Sequence, residues 1–161
     1  MIKPLFTNIV VAISGSDASI LAAKYAIVMA KAYHCTLHAV YVVDKSTVRQ
    51  LALSKIAVQD GSQDYESSLE ANGKRYLSYV EDLAQAKDVK IEKEIRKGAV
   101  YTEILAAADE KLADLIILGG WEKDRKSDEI ITNSHRYIMM HSKCSVLLVK
   151  EPKVDIIYRQ A

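Results

Sequence analysis

Apolar residues in this chain fall into short unbroken runs and stripes of helical spacing, and the two alternate. Asn8–Ile13 (NIVVAI) is a continuous run rich in β-branched residues, with the length of a strand covered on both faces, as parallel sheets require. Ser14-Gly15-Ser16-Asp17 breaks it; Gly15 permits a tight turn, and Ser16 or Asp17 can cap a following helix. From Ala18 to Ala32, Ile20, Ala23, Ile27 and Ala30 recur at helical spacing, with Lys24 and Lys31 off the stripe. Thr36–Val43 (TLHAVYVV) predicts a second strand, closed by Asp44. The pattern over 45–63 is looser, and Val48, Leu51, Ala52 and Ile56 fit a short amphipathic helix ended by Asp60-Gly61. That insertion is longer than a plain connection needs, which predicts a lid or a partner surface. A long helix over 64–86 follows, with Leu69, Gly73, Tyr76, Val80 and Leu83 on one face. Gly73 lowers helix propensity by about 1 kcal/mol against Ala, so it marks a close packing contact.

Val89–Arg96 (VKIEKEIR) alternates apolar and charged residues, the pattern of a strand at or near a sheet edge. Gly98 turns the chain into a helix whose core side is Ile104, Leu105, Ala108 and Leu112. Asp114–Leu118 predicts a short buried strand ended by Gly119-Gly120, and a polar loop over 121–128 leads into a helix over about 129–141. The last strand is Cys144–Val149, stopped by Glu151-Pro152. The tail from Lys153 to Ala161 carries Val154, Ile156, Ile157 and Tyr158, and is expected to dock. Five strands alternating with four main helices predict an α/β fold, a parallel, doubly wound, Rossmann-like sheet. Ligands in such sheets bind beyond the carboxyl ends of the strands.

At 161 residues the chain has the length of one domain, and half of it is apolar with 27% charged, so a packed core is expected rather than disorder. Lys and Arg number 22 against 21 Asp and Glu, too even a balance for a dedicated nucleic-acid binder. No apolar run approaches the ~20 residues that span a bilayer, and the N-terminus lacks a signal-peptide cleavage site. Cys35 and Cys144 make no disulfide framework and have the apolar neighbours of inert thiols. The expectation is a cytoplasmic protein with neither membrane nor nucleic acid as partner. Gly-x-Ser-x-Gly, Gly-x4-Gly-Lys-Ser/Thr, Gly-x-Gly-x-x-Gly and His-Glu-x-x-His are all absent, so no enzyme is expected. His34 and His38 have metal-ligand spacing for a helix but straddle a helix end and a strand, so no metal site is expected either.

Four stretches in order resemble the universal stress protein family, over Phe6 to Lys150. Ile9–Ser16 resembles its opening, usually Val-Asp-Gly-Ser, and Val42-Val43-Asp44 resembles its His-Val-Val-Asp. Gly98 with Glu103–Ala106 and Ala113–Gly119 resembles its glycine, helix and fourth strand. His141 with Cys144–Val149 resembles its closing His-x-x-Cys-Pro-Val-Leu-Val-Val. The resemblance implies strand order 3-2-1-4-5, a single domain over 1–150 with 45–63 as insertion or lid, and a tail over 151–161. It also implies a homodimer, in which the last strand (Cys144 to Val149) pairs across a two-fold axis and the tail extends the interface.

One branch of that family binds ATP through Gly-x2-Gly-x9-Gly-Ser/Thr, whose glycines bring backbone N–H groups to the phosphates at a helix N-terminus. Here Gly119 fills the first position, Glu122 replaces the second glycine, and Thr132-Asn133 replace Gly-Ser. Ser14 stands where the family has an aspartate near adenine and ribose. A carboxylate about 4 Å from a phosphate charge repels it by roughly 4 kcal/mol at an effective dielectric near 20, more than one lost hydrogen bond. Lys123, Arg125 and Lys126 in the same loop can instead bind phosphate by side chain, Gly120 offers flexibility one position early, and Thr132, Asn133 and Ser134 offer donors. Trp121 suits either a wall for a planar ligand or packing over the sheet end. The favoured expectation is a non-enzymatic, dimeric stress-response or regulatory protein with weak or no ATP binding, no cofactor, and an unidentified protein partner. The alternative is an adenine-nucleotide switch. Its crevice would lie between Ile13-Ser14-Gly15, Val42-Val43 and Leu118-Gly119-Gly120, with Lys123, Arg125, Asn133 and Ser134 on the phosphates. A third expectation is a hydroxylated or cationic small ligand in the same crevice.

Overall fold

The apolar runs become strands because each is covered on both sides. The computed structural model describes residues 2–45, 61–120 and 132–161. Within them the elements are β1 (Asn8–Ile13), α1 (Asp17–Tyr33), β2 (Thr36–Asp44), α2 (Gly61–Gln85), β3 (Ile91–Gly98), α3 (Val100–Glu110), β4 (Leu115–Gly119), α4 (Asn133–His141), β5 (Ser145–Val149) and α5 (Val154–Gln160). The strands are parallel in the order β3-β2-β1-β4-β5, with Ile9 opposite both Leu37 and Leu115, Leu37 opposite Ile91, and Leu115 opposite Ser145. This is the expected strand order. The strand pattern Val89–Arg96 is realised two residues later, and β3 is indeed an edge.

Alternating side chains split the core in two. Ile9, Val11, Leu37, Val43 and Ile117 face one side and pack with Ala22 and Ala26 of α1 and Leu77 and Val80 of α2. Val10, Val40 and Ile116 face the other and pack with Ile104 and Ala107 of α3 and Ile138 of α4. Ile9, Ile116 and Ile117 are fully buried, each contributing about 1.5–3 kcal/mol of transfer free energy.

Helix α1 starts at an N-cap, Ser16, whose hydroxyl accepts from the Ser19 N–H, and it stops where His34 takes a left-handed conformation at φ 56°. Gly73 does mark a close contact: a Cβ there would lie 2.5 Å from the Tyr41 ring. The tail forms a fifth described helix, which docks on α1. In α5, Val154 is fully buried, Tyr158 Oη donates to Leu83 O at 2.7 Å, and Asp155 pairs with Lys24 of α1. The expected 45–63 lid lies almost wholly outside the described residues.

Candidate functional site

At the carboxyl ends of the strands, β1 and β4 stop next to each other, and the helices α1 and α4 that come after them pack on opposite faces of the sheet. Between them lies a crevice of about 340 Å³. Its apolar walls include Ile13, Val42, Ile104, Leu118 and Ile138, and its polar groups are Ser14, Ser16, Ser19, Thr132, Ser134 and His135. None of its described lining residues is Asp, Glu, Lys or Arg.

The β1–α1 turn forms one wall, and its hydrogen bonds close on themselves. Gly15 has φ +82°, and a Cβ there would lie 2.3 Å from the Tyr76 ring, so both conformation and space call for glycine. Ser19 is 4% exposed, and its hydroxyl accepts from the N–H groups of Ser14 and Gly15, both at 3.1 Å, while donating to Ser16 O at 3.0 Å. One donor and two acceptor positions are all a hydroxyl has, so Ser19 is saturated. The two turn amides that would otherwise form an anion-binding nest are thereby committed. Ser14 and Ser16 share a hydroxyl–hydroxyl hydrogen bond at 2.9 Å and present what remains of their capacity to the crevice.

Gly119 ends β4 and is tightly enclosed. A Cβ there would lie 2.5 Å from the carbonyl carbon and oxygen of Ala18, so the glycine lets the first turn of α1 approach β4. Gly120 donates its N–H to Val149 O at 2.9 Å and holds the strand exit against β5. Across the crevice, Thr132 caps α4 reciprocally: its hydroxyl accepts from the His135 N–H, and His135 Nδ1 accepts from the Thr132 N–H, both at 3.2 Å. That bond makes Nε2 the protonated nitrogen of the neutral His135 ring. The Asn133 and Ser134 amides precede the first bonds of the helix, and the positive end of α4 adjoins the crevice.

Of the residues expected from sequence, Ile13, Ser14, Val42, Leu118, Gly119, Gly120 and Ser134 converge on the crevice. Gly15 lines a groove on the other side of its turn, with Tyr76, Tyr79, Pro152 and Asp155. Val43 is fully buried in the core of the opposite sheet face, because neighbouring strand residues alternate. Asn133 is exposed at the start of α4 and does not line the crevice. Lys123 and Arg125, with Trp121, Glu122 and Lys126, lie outside the described residues. Thr132, read as a donor, also lines it, and Ala12, Ser16, Ala18, Ser19, Val100, Ile104, His135 and Ile138 complete the lining without having been expected there. Ser19 and His135 each stand three residues after a cap, a spacing that could have drawn attention to them. Among the described residues no group of His, Cys, Asp and Glu is placed to hold a metal ion, and no helix is long and apolar enough to cross a membrane.

Comparison with known proteins follows the same lines. The family model described as "Universal stress protein family" matches residues 5–150. A universal stress protein of Methanocaldococcus jannaschii is 34% identical over 152 residues, covering 94% of this chain and 86% of the relative. The solved structure of universal stress protein UspA from Lactobacillus plantarum superposes with a TM-score of 0.76 at 24% identity, covering 90% of this chain and 98% of that one. A universal stress protein in complex with cAMP superposes with a TM-score of 0.65 at 22% identity, covering 90% and 97%. With its sheet order, its carboxyl-end crevice and these similarities, the chain belongs to the universal stress protein family.

Proposed function

We propose that this protein is a non-enzymatic, dimeric stress-response or regulatory protein that binds ATP weakly or not at all. The observation that carries the reading is the commitment of the backbone donors at the ends of β1 and β4. The Ser14 and Gly15 amides bond Ser19, the Gly120 amide bonds Val149 O, and no cationic side chain stands among the described lining residues. A triphosphate placed there would lose water and gain only the first amides of α4, without the turn amides and cationic charges that would replace the rest. The dimer half of the reading rests on β5, which among the described residues pairs only with β4 and carries half-buried Val146, Leu147 and Leu148 at the sheet's outer edge. Isothermal titration calorimetry with ATP is expected to show no binding at micromolar concentration, and a denatured sample is expected to release no nucleotide. A micromolar Kd overturns the first half. Sedimentation as a monomer at micromolar concentration overturns the second.

A second reading, an adenine-nucleotide switch, draws support from the crevice itself and from the similar protein that binds cAMP. A smaller nucleotide with a single phosphate at the α4 N-terminus fits a site of this size and polarity better than ATP does. Titration with cAMP and AMP beside ATP separates the two readings.

A further inference from the structure

The amino ends of β1, β2 and β3 lie opposite the crevice, and one imidazole is buried among them. His38 on β2 stands in register with Val10 on β1 and Glu92 on β3, and only 7% of its side chain is exposed. Its Nε2 is 3.1 Å from Asn8 Oδ1. Its Nδ1 is 3.1 Å from Glu92 Oε2 but makes no hydrogen bond of acceptable angle there. Both neighbours are acceptors in this arrangement, whereas a neutral imidazole has one N–H and one lone pair. Only the imidazolium, with a small turn of the half-exposed Glu92 carboxylate into line with Nδ1, can donate to both. The neutral ring has another solution: Nδ1–H donates to Glu92, and the Asn8 amide turns end for end so that its Nδ2 donates to Nε2. The two ends of an amide are nearly isosteric, so the states differ by one proton and one amide flip.

We propose that Asn8, His38 and Glu92 form a proton-driven latch across the first three strands, in which protonation of His38 reverses the Asn8 amide. Charged groups reach the ring from two elements. Glu92 and Glu94 of β3 favour the proton, and Lys111, at the end of α3 and 3.8 Å from Glu92 Oε2, opposes it. β1 supplies the neutral Asn8 amide. Burial outweighs the carboxylates and holds His38 below its ordinary value of 6.5. The folded protein therefore binds this proton less tightly than the unfolded chain does. The contribution to stability is complete above about pH 6.5 and is lost as pH falls through the folded-state pKa. Acid thus weakens the hold of this end of the sheet.

The test is 15N NMR of the full-length protein between pH 8 and pH 4, following the His38 ring nitrogens and the Asn8 side-chain NH2. The expected result has three parts: an Nδ1–H tautomer at pH 8, a midpoint below 6.5, and Asn8 resonances that move with the same midpoint. Lys111→Met should shift both midpoints upward. An Nε2–H tautomer at pH 8, or Asn8 resonances that stay fixed through the His38 midpoint, overturns the latch. The wild-type tautomer decides the matter even if the variant fails to fold.

Discussion

The two edges of the sheet are built from opposite chemistry. On β3, every charged side chain has a partner of opposite sign: Glu92 meets Lys111, Lys93 meets Glu81, Arg96 meets Glu94, Glu103 and Glu110, and Lys97 meets Glu66 and Glu70. Strand β5, Ser-Val-Leu-Leu-Val, carries no charge at all. An edge strand offers unpaired N–H and C=O groups to any neighbouring strand, and charged side chains discourage that pairing. The difference teaches that β3 is finished within the chain, whereas β5 keeps the character of an interior strand at the outer edge of the described sheet. Position in the sheet alone does not produce this contrast, since both strands are outermost.

Breaking the β3 network should have the largest effect. Arg96 is 15% exposed and is the cation shared by three carboxylates; hydrogen bonding, first to Glu110, raises its pKa further. Arg96→Met is expected to cost about 2–3 kcal/mol in urea unfolding, below the roughly 3–5 kcal/mol of a fully buried pair because Glu110 is 59% exposed. An unchanged midpoint would show that the network contributes nothing. The Arg96 hydrogen bond also holds the Glu110 carboxyl below its usual 4.5, so the folded state binds that proton less tightly than the unfolded one. This stabilisation is present above about pH 4.5 and lost as pH falls through the folded value, and Arg96→Met should lack that part of the acid loss.

Giving β5 the chemistry of β3 is the converse experiment. Val146→Lys is expected to weaken the proposed dimer by about 30-fold, near 2 kcal/mol, as read by sedimentation. Equal dimer affinity in the variant would place the interface elsewhere. Smaller effects should come from the tail, which covers α1 rather than lengthening the β5 edge. Tyr158→Phe removes the hydrogen bond to Leu83 O and should lower stability by about 1 kcal/mol. Lys24→Met breaks a pair whose acid, Asp155, is 55% exposed, and should change stability by no more than about 0.5 kcal/mol. A Lys24→Met loss larger than that of Tyr158→Phe would reverse this account of how α5 is held.

The fold was legible because its signals are local. Asn8–Ile13 and Asp114–Leu118 read as buried strands from their apolar runs, and Ser16 or Asp17 read as a cap from its place before a helical stripe, the structure choosing Ser16. The crevice was legible only in outline. Ser14, Leu118 and Gly119 follow from where the strands end, whereas Val43 turned out to face the other core because a one-residue step along a strand changes sides. Gly119 is the sharpest case. From its motif it reads as a phosphate-loop glycine, but its surroundings also require it to pass the backbone of Ala18, about a hundred positions earlier in the chain.

What this sequence determines by itself, then, is the order and kind of its elements, the parallel sheet they build and the end at which a ligand would sit, since periodicity and turn residues act over a few neighbours. Tertiary structure alone decided that Ser19 would occupy the turn amides, that His38 would be buried between Asn8 and Glu92, and that the tail would fold back onto α1. The physical reason differs from case to case only in distance. A hydroxyl's hydrogen-bond partners, an imidazole's protonation and a helix's docking face depend on groups that folding brings together, and local pattern carries no record of them.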